Sequence, residues 1–185
     1  VESRPEWGES SVCLHLAVAV PKGSRFDLVV EKGTEVGVAS IVPMLTERGL
    51  VRPDREGQRV ERWRRLARSA AKQCGRSRVP RIGEPVELPT ATDELARRCG
   101  RLLVADAQAG EALTDALQGG DGPVALFIGP EGGLEPTEWT ALKERGARPF
   151  TWGERTLRAE TAAVVLSALV LDTATRQSVT HEEGA

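Results

Sequence analysis

The chain has 185 residues, which is enough for one domain with a substantial core but too few for two of comfortable size. Hydrophobic residues make up 40% of the chain and charged residues 28%, so the composition is that of an ordinary folded protein and excludes a disordered one. The formal net charge of −2 gives no overall attraction to nucleic acid, so any RNA binding has to come from a local patch.

The N-terminal part of the chain predicts a strand, a helix and a second strand. After a polar, loose lead-in at residues 1–10, the apolar run Val12–Val20 is typical of a buried strand. Ser24 and Asp27 have the spacing of a capping box that starts a helix. The inner face of that helix is predicted to carry Phe26, Val29 and Val30. Ala39–Leu45 then completes a βαβ unit, so the sheet should be at least partly parallel.

The same helix carries two opposite charges three positions apart, Lys32 and Glu35, and should end at Gly37. On sequence alone, this spacing favours a solvent-exposed ion pair worth a few tenths of a kcal/mol.

A long helix with two distinct faces is predicted from Glu56 to Gly75. Apolar residues recur at spacings of three and four and define its inner stripe: Val60, Trp63, Ala67, Ala70 and Cys74. A basic face lies nearly opposite, within roughly 80° at 3.6 residues per turn. It consists of Arg62, Arg65, Lys72 and Arg76, and Arg78 and Arg81 extend it. Such a face is either ordinary solvated surface or a site for phosphates, which need only local positive charge.

The middle of the chain is predicted to add one edge connection and one core strand. Pro80–Leu88 is a short strand or edge segment, and Thr90 and Asp93 are spaced to cap a short helix that runs to Cys99. Arg101–Asp106 is a core strand with an acidic end, and a brief helix at residues 111–117 follows it. Ligands of open α/β sheets bind beyond the carboxyl ends of strands, so Ala105 and Asp106 should line the same crevice as the loops at residues 129–134 and 152–161. Alternatively, Asp106 simply caps the next turn.

The strand Val124–Ile128 runs into the glycine-rich loop Gly129–Gly133 and then into a helix that begins at Pro136 and ends at Gly146. Backbone N–H groups of such a loop can face a ligand's polar atoms, and glycine lets the backbone approach a flat ring. The loop lacks the Lys of a phosphate-binding loop. Taken alone, a glycine-rich turn after a strand is more often just a tight connection.

A second charged loop, Trp152–Thr161, leads directly into an apolar helix. Charges at the start of a buried helix cost free energy unless they are paired or face a site. They therefore indicate either a ligand site or a local ion pair of Arg158 with Glu160 or Glu154. The helix, Glu160 to about Thr175, is apolar enough to require burial, in which case a second copy of the chain could cover it. The polar tail at residues 177–185 should be disordered.

No membrane helix is predicted, because the longest apolar run, Ala162–Leu171, is about half the ~20 residues that span a bilayer. Residues 1–9 lack the apolar core of a signal peptide. The three cysteines, Cys13, Cys74 and Cys99, are odd in number, and their spacing matches no metal site. They are expected to be buried thiols in the reducing cytoplasm.

Four short patterns occur in order along the chain. Residues 31–38 read E-K-G-T-E-V-G-V, residues 72–76 read K-Q-C-G-R, residues 129–138 read G-P-E-G-G-L-E-P-T-E and residues 153–162 read G-E-R-T-L-R-A-E-T-A. In that order they resemble the motifs K-A-T-E-L-G-V, E-Q-S-G-R, G-P-E-G-G-x-x-x-x-E and G-x-R-x-L-R-x-E-T-A of the RsmE family of SPOUT-class methyltransferases. The match covers about residues 12–175. Departures from the family pattern occur at Gly33, Lys72 and Thr156, so the RNA-facing details follow it less closely than the cofactor loops do.

The resemblance implies an α/β SPOUT methyltransferase fold over residues 11–176, with a mainly parallel sheet and a deep C-terminal trefoil knot. It implies a homodimer that transfers a methyl group from S-adenosylmethionine to N3 of a uridine in 16S ribosomal RNA of the small subunit. No bound metal is expected, because the cysteine spacing matches no metal site. Family members carry a small N-terminal β-barrel domain before this region. We therefore expect this sequence, which begins at Val1, to be the catalytic domain without it.

The resemblance and the motifs together predict three groups of site residues. The catalytic candidates are Arg158, which would stabilise negative charge on the uracil, and Glu160, which would orient Arg158 or act as a base. The cofactor-binding candidates are Ala105, Asp106, Ile128, Gly129, Pro130, Glu131, Gly132, Gly133, Trp152, Gly153, Thr156, Leu157, Arg158 and Thr161. The RNA-binding candidates are Lys32, Glu35, Arg62, Arg65, Lys72, Gln73, Arg76 and Arg78.

Two other functions stay open at the level of sequence. The chain could be a SPOUT enzyme with another RNA target, such as a ribose 2′-hydroxyl, or a non-catalytic module that binds RNA.

Overall fold

The computed structural model describes residues 6–49, 56–120 and 122–182, which form a seven-stranded sheet covered by helices. The strands are β1 Leu14–Ala19, β2 Ser40–Leu45, β3 Arg81–Ile82, β4 Val86–Glu87, β5 Arg101–Ala105, β6 Val124–Ile128 and β7 Arg148–Phe150. The helices are α1 Arg25–Val36, α2 Glu56–Cys74, α3 Leu88–Ala96, α4 Leu113–Ala116, α5 Pro136–Glu144 and α6 Ala159–Glu182. These elements confirm the predicted α/β class.

The strands of the sheet run in the order β3-β2-β1-β6-β5-β7, and β4 also pairs with β2. Every pairing between the named strands is parallel. The central strand β6 is buried along its whole length, as its continuous apolar sequence predicts. The carboxyl ends of β5, β6 and β7 consequently meet at one edge of the sheet.

Two separate hydrophobic cores fill the two faces of the sheet. Helices α1, α2 and α6 cover one face, where the tilted rings of Phe26 and Trp63 pack with their centroids 4.4 Å apart. Helices α3 and α5 cover the other, around Phe127 and Leu95. The predicted inner residues of α1 and α2 are buried, except that Cys74 is only partly so. Among the described residues, no helix is both long and apolar enough to cross a membrane.

The two predicted side-chain caps are wrong. Ser24 does stand at the N-cap of α1, but its side chain makes no capping hydrogen bond. Helix α3 begins at Leu88, with Pro89 in its first turn, so Thr90 and Asp93 lie inside it. Thr92 also lies inside the helix, where its buried hydroxyl donates to the Leu88 carbonyl oxygen at 2.8 Å. Gly37 ends α1 in a left-handed conformation with φ of 105°, as predicted.

Helix α6 and the contacts before β1 extend further toward the two ends than the sequence pattern indicates. Helix α6 continues to Glu182, so residues 177–182 of the expected tail are helical, and residues 183–185 lie outside the described part. In the N-terminal lead-in, Glu9 is held by hydrogen bonds from the Arg76 side chain and from the Arg78 backbone N–H. The segment from Glu6 onward is therefore docked on the domain, and residues 1–5 are outside the described range.

The cysteines differ from the expectation of three buried thiols. Cys99 is buried, Cys74 is half-buried, and Cys13 is exposed just before β1.

Candidate functional site

The ends of three neighbouring strands and the loops that follow them enclose one crevice of about 450 Å³. Its walls include twelve of the predicted cofactor-binding residues: Ala105, Asp106, Ile128, Gly129, Pro130, Glu131, Gly132, Gly133, Trp152, Gly153, Thr156 and Leu157. The two other predicted residues, Arg158 and Thr161, are not part of the lining. The volume falls in the range of roughly 300–1,000 Å³ that is typical of small-molecule sites.

The glycine-rich loop is shaped by its own turn and by the start of α5. Gly133 has φ of 75°, a left-handed conformation that suits glycine, and its N–H donates to the Pro130 carbonyl oxygen at 2.9 Å. At Gly129 a Cβ atom would lie 3.3 Å from Leu134, so a larger residue would crowd the crevice wall. Glu135 and Glu138 form a reciprocal capping box that fixes the helix start.

The loop after β2 holds the glycine-rich loop from outside. Its part in the site is not indicated by the sequence. Arg48 donates from Nε to Glu135 Oε1 at 2.6 Å and from Nη1 to the Gly132 carbonyl oxygen at 2.7 Å. The buried carboxylate of Glu138 accepts from the Glu47 N–H at 3.0 Å with its other oxygen engaged in the capping box. The loop that lines the crevice is thus held by residues more than 80 positions away in sequence.

The second predicted loop forms the opposite wall and the floor. Gly153 adopts φ of 115° and its N–H donates to Thr151 Oγ1 at 3.1 Å, which closes a tight turn after β7. The Trp152 ring beside this turn is 42% exposed. Below it, Ala159, Ala162 and Leu166 of α6 give the crevice an apolar floor.

Both predictions made for Asp106 are confirmed. The residue lines the crevice, and its Oδ1 accepts from the Gln108 N–H at 3.0 Å, which caps the following turn.

The predicted cofactor-binding residues leave out ten residues of the lining. They are Arg48, Ala107, Gln108, Leu134, Trp139, Phe150, Arg155, Ala159, Ala162 and Leu166. Leu134, Arg155 and Ala159 belong to the two loops, residues 129–134 and 152–161, that the sequence places at the crevice, whereas no sequence pattern indicates the other seven.

The two catalytic candidates lie at the start of α6 but do not pair with each other. Glu160 is 7% exposed, and its Oε1 lies 3.8 Å from Nε of Arg25 at the start of α1. Its Oε2 is buried without a hydrogen-bond partner in the described structure. The Arg158 side chain is exposed and makes no ion pair among the described residues. The expected contact of Glu160 with Arg158 is therefore wrong, because the carboxylate turns toward α1.

Arg25 also reaches the glycine-rich loop. Its Nη1 lies 3.4 Å from Glu131 Oε1, so the start of α1 contacts both Glu131 in the crevice wall and Glu160.

The predicted basic face of α2 is exposed, but an ion pair occupies one of its cations. Arg65, Lys72 and Gln73 are exposed, and Arg62 is exposed but ion-paired with Asp27. Arg78, 63% exposed, pairs with Glu6 at 2.5 Å.

Arg76 does not belong to this face, and its assignment as an RNA contact is wrong. Helix α2 ends at Cys74, and Gly75 with φ of 76° turns the chain inward. Nη1 of Arg76 donates to the carbonyl oxygens of Thr34 and Val38 at 2.8 and 2.9 Å. The helical period cannot be extended past the last helical residue.

Lys32 and Glu35 form the ion pair expected from their spacing, with Nζ 2.8 Å from Oε1. Lys32 also contacts Glu31 at 2.9 Å. Hydrogen bonds to Glu35 and Glu31 raise the pKa of Lys32 above its ordinary value.

The family described as RNA methyltransferase domain matches residues 8–171. The chain is 31% identical over 173 residues to a ribosomal RNA small subunit methyltransferase E of Synechocystis sp., covering 92% of this chain and 56% of that protein. It is 30% identical over 183 residues to the protein of the same name in Bacillus subtilis, covering 94% of this chain and 71% of that one. The chain thus spans little more than half the length of some of the curated relatives that it matches.

Comparison with solved structures indicates the same family. The ribosomal RNA small subunit methyltransferase E from Neisseria gonorrhoeae, bound to S-adenosyl methionine, matches with a TM-score of 0.81 at 30% identity, over 89% of this chain and 67% of that one. A crystal structure of an RNA 2′-O ribose methyltransferase matches with a TM-score of 0.58 at 17% identity, which supports the fold alone. The family and the parallel α/β fold predicted from the motifs are confirmed, while the trefoil knot stays a prediction. The chain belongs to the RNA methyltransferase domain family and, within it, to the RsmE family of SPOUT-class methyltransferases.

Proposed function

We propose that this chain is the catalytic domain of an enzyme that transfers a methyl group from S-adenosylmethionine to N3 of a specific uridine in 16S ribosomal RNA. The observation that carries the proposal is the crevice at the carboxyl ends of β5, β6 and β7, which both family loops line. A relative of similar fold binds S-adenosyl methionine. Ribosomal RNA as substrate would place the reaction in the cytoplasm.

The residues of the crevice fit this cofactor. Ile128, Leu134 and Leu157 offer apolar surface for a flat adenine ring. Backbone groups of the Gly129–Gly133 loop would hold the adenine and the ribose, since glycine leaves room for close approach. Asp106 and Glu131 add carboxylates for hydroxyl and amino groups. When bound, S-adenosylmethionine supplies an electrophilic methyl group on its sulfonium sulfur.

The protein's contribution is to place N3 of the uracil in line with that methyl group and to accommodate loss of the N3 proton. Positioning of this kind accounts for much of the acceleration in such reactions. Arg158 is suited to stabilise the negative charge on the uracil oxygens, because its guanidinium is exposed and has no ion-pair partner among the described residues.

Glu160 remains the candidate for the base. Its buried Oε2 has no hydrogen-bond partner in the described structure, so this oxygen is free to accept a proton. Its anchoring cation is Arg25, at 3.8 Å, rather than Arg158.

The exposed side of α2 is the proposed RNA contact. Arg65 and Lys72 are exposed without an ion pair among the described residues, and Arg62 and Gln73 flank them. Arg78, together with Lys32 and Glu35, stays a weaker candidate, because salt bridges already occupy these charges. Contacts to phosphates would position the RNA without reading its sequence.

A homodimer is part of the proposal. Helix α6 carries no charged residue between Thr161 and Leu171, and its less buried side presents the partly buried Val164 and Val165 and the exposed Ala168. A second copy of the chain would remove these apolar side chains from water. Sedimentation velocity at micromolar concentration should give twice the mass of one chain.

The function is tested by incubating the protein with S-adenosylmethionine and 16S RNA or small-subunit particles and analysing the nucleosides by mass spectrometry. N3-methyluridine is the expected product, whereas a 2′-O-methylated nucleoside would contradict the base assignment. Arg158→Ala should bind S-adenosylhomocysteine like the wild type but methylate about 10²-fold more slowly. Arg158→Lys, which keeps the charge, should recover part of the rate, and an Arg158→Ala variant that methylates normally would remove the role of this residue.

A further inference from the structure

A chain of three polar side chains lies at the end of the sheet opposite the crevice. The exposed Cys13 has its Sγ 3.5 Å from Nε2 of His15, and Nδ1 of His15 lies 2.6 Å from Oγ of Ser40. His15 is 6% exposed and Ser40 7%. Nothing in the proposed methyl transfer uses these residues.

The strand geometry explains why they meet. Cys13 immediately precedes β1 and His15 is the second residue of the strand, so the two side chains, two positions apart in extended backbone, point to the same face of the sheet. Ser40, the first residue of β2, is the register partner of His15. The six residues of β1 extend toward the crevice edge by about 20 Å, at about 3.3 Å per residue, so the two sites are well separated.

We propose that Cys13 is a reactive thiol that exchanges with small disulfides, with His15 as its proton acceptor and Ser40 as the group that orients His15. A nucleophile within hydrogen-bond reach of a base that is itself held by a third group is the arrangement of activated nucleophiles in general. With Nδ1–H donating to Ser40 Oγ, the lone pair of Nε2 faces the Cys13 thiol.

The proposed step is balanced. The Cys13 proton passes to His15 Nε2, the thiolate sulfur attacks one sulfur of the disulfide, a new S–S bond forms and the old one breaks. The leaving thiolate takes the proton back from the imidazolium. The disulfide is the oxidant, and a second thiol restores Cys13.

The surroundings favour this cysteine over the other two. Burial, assisted by the charge of Arg98, lowers the pKa of His15, so its imidazole is neutral near pH 7 and one ring nitrogen keeps its lone pair. Burial raises the pKa of the Cys99 thiol to about 11. Cys74 donates to the Ala71 carbonyl oxygen and is only half-exposed.

The experiment uses 5,5′-dithiobis(2-nitrobenzoate), an aromatic disulfide, on the whole chain at pH 7, with peptide mapping to locate the label. Cys13 should react at least about tenfold faster in the native protein than in the chain unfolded in urea, by the scale of general-base assistance. Cys74→Ser and Cys99→Ser should keep the fast phase and Cys13→Ser should remove it. A native Cys13 that reacts no faster than in the unfolded chain would overturn the proposal.

Variants of the two supporting residues separate base assistance from simple exposure. His15→Gln should lower the rate at Cys13 to that of the unfolded chain, and Ser40→Ala should lower it severalfold. Circular dichroism checks that each variant is folded. If His15→Gln does not fold, Ser40→Ala carries the test alone, and an unchanged rate in either folded variant would contradict the role of His15. Labelled protein should still bind S-adenosylhomocysteine, because the thiol lies far from the crevice.

Discussion

The guanidinium of Arg76 and the carboxylate of Glu9 form a buried ion pair, with Nη2 2.7 Å from Oε2 and side chains that are 4% and 8% exposed. The same guanidinium donates to two backbone carbonyl oxygens near the end of α1. One side chain thus ties the segment before β1 to the ends of α1 and α2.

Arg76→Met should destabilise the domain by about 3 kcal/mol, because removal of one partner leaves Glu9 buried with its charge uncompensated. Urea unfolding followed by circular dichroism measures the difference. The matched control is Arg78→Met, whose ion pair with Glu6 is 63% and 70% exposed and should matter by less than about 1 kcal/mol. Equal effects of the two substitutions would show that burial does not govern the stability contribution of Arg76.

The stability contributed by Glu9 should depend on pH in the acid range. Burial raises the pKa of Glu9, but hydrogen bonds from Arg76 and the Arg78 backbone N–H outweigh it, so the pKa lies below 4.5 in the folded state. The unfolded chain then binds the proton more readily, so this stability is fully present above about pH 4.5 and is lost as the pH falls through the folded pKa.

Glu9→Gln should therefore flatten the fall in unfolding free energy below about pH 4.5. Urea titrations at a series of pH values compare the two slopes. Wild type and variant that lose stability in parallel would mean that Glu9 does not titrate abnormally.

Arg48→Ala should weaken the binding of S-adenosylhomocysteine about three- to tenfold. The substitution removes the bonds to Glu135 and to the Gly132 carbonyl oxygen, so the glycine-rich loop would have to be ordered by the ligand itself. Calorimetric titration measures the change. Arg145→Ala removes a comparably exposed ion pair with Asp93, neither of which lines the crevice, and should leave the affinity unchanged.

The double substitution Arg65→Ala and Lys72→Ala should weaken RNA binding and reduce its salt dependence. Each phosphate contact contributes about 0.7 to 0.9 to the slope of log K against log salt, so the slope should fall by about 1.5. Arg97→Ala, on the exposed end of α3 across the sheet, serves as the control. An unchanged slope in the double variant would remove α2 from the RNA interface.

The fold was predictable wherever local pattern and burial agree. The apolar strand Val124–Ile128 and the amphipathic helix α2 each carry the pattern of apolar residues that burial in the core requires. The bounds of both elements agree closely with the prediction. The start of α3 was missed because Pro89 in the first helical turn outweighed the spacing of Thr90 and Asp93.

Only those parts of the site that are formed by residues close together in sequence could be predicted. The loops that follow buried strands indicate the crevice, because they are recognisable in the sequence. Contacts between distant segments produce no pattern in the sequence from which they could be predicted. Arg48 reaches Gly132 across 84 positions, and Glu160 turns toward Arg25 instead of its neighbour Arg158. Arg76 was misplaced because a left-handed Gly75 breaks the helical phase.

Calorimetric titration with S-adenosylhomocysteine tests most directly whether the crevice is the cofactor site. The wild type should bind one equivalent saturably, and Gly129→Val should lose most of the affinity, because even a Cβ there lies 3.3 Å from Leu134. Gly110→Val, where a Cβ meets nothing within 4 Å, should bind normally. A folded wild-type protein that takes up no ligand, or a Gly129→Val variant that binds as well as wild type, would contradict the assignment of the cofactor to this crevice.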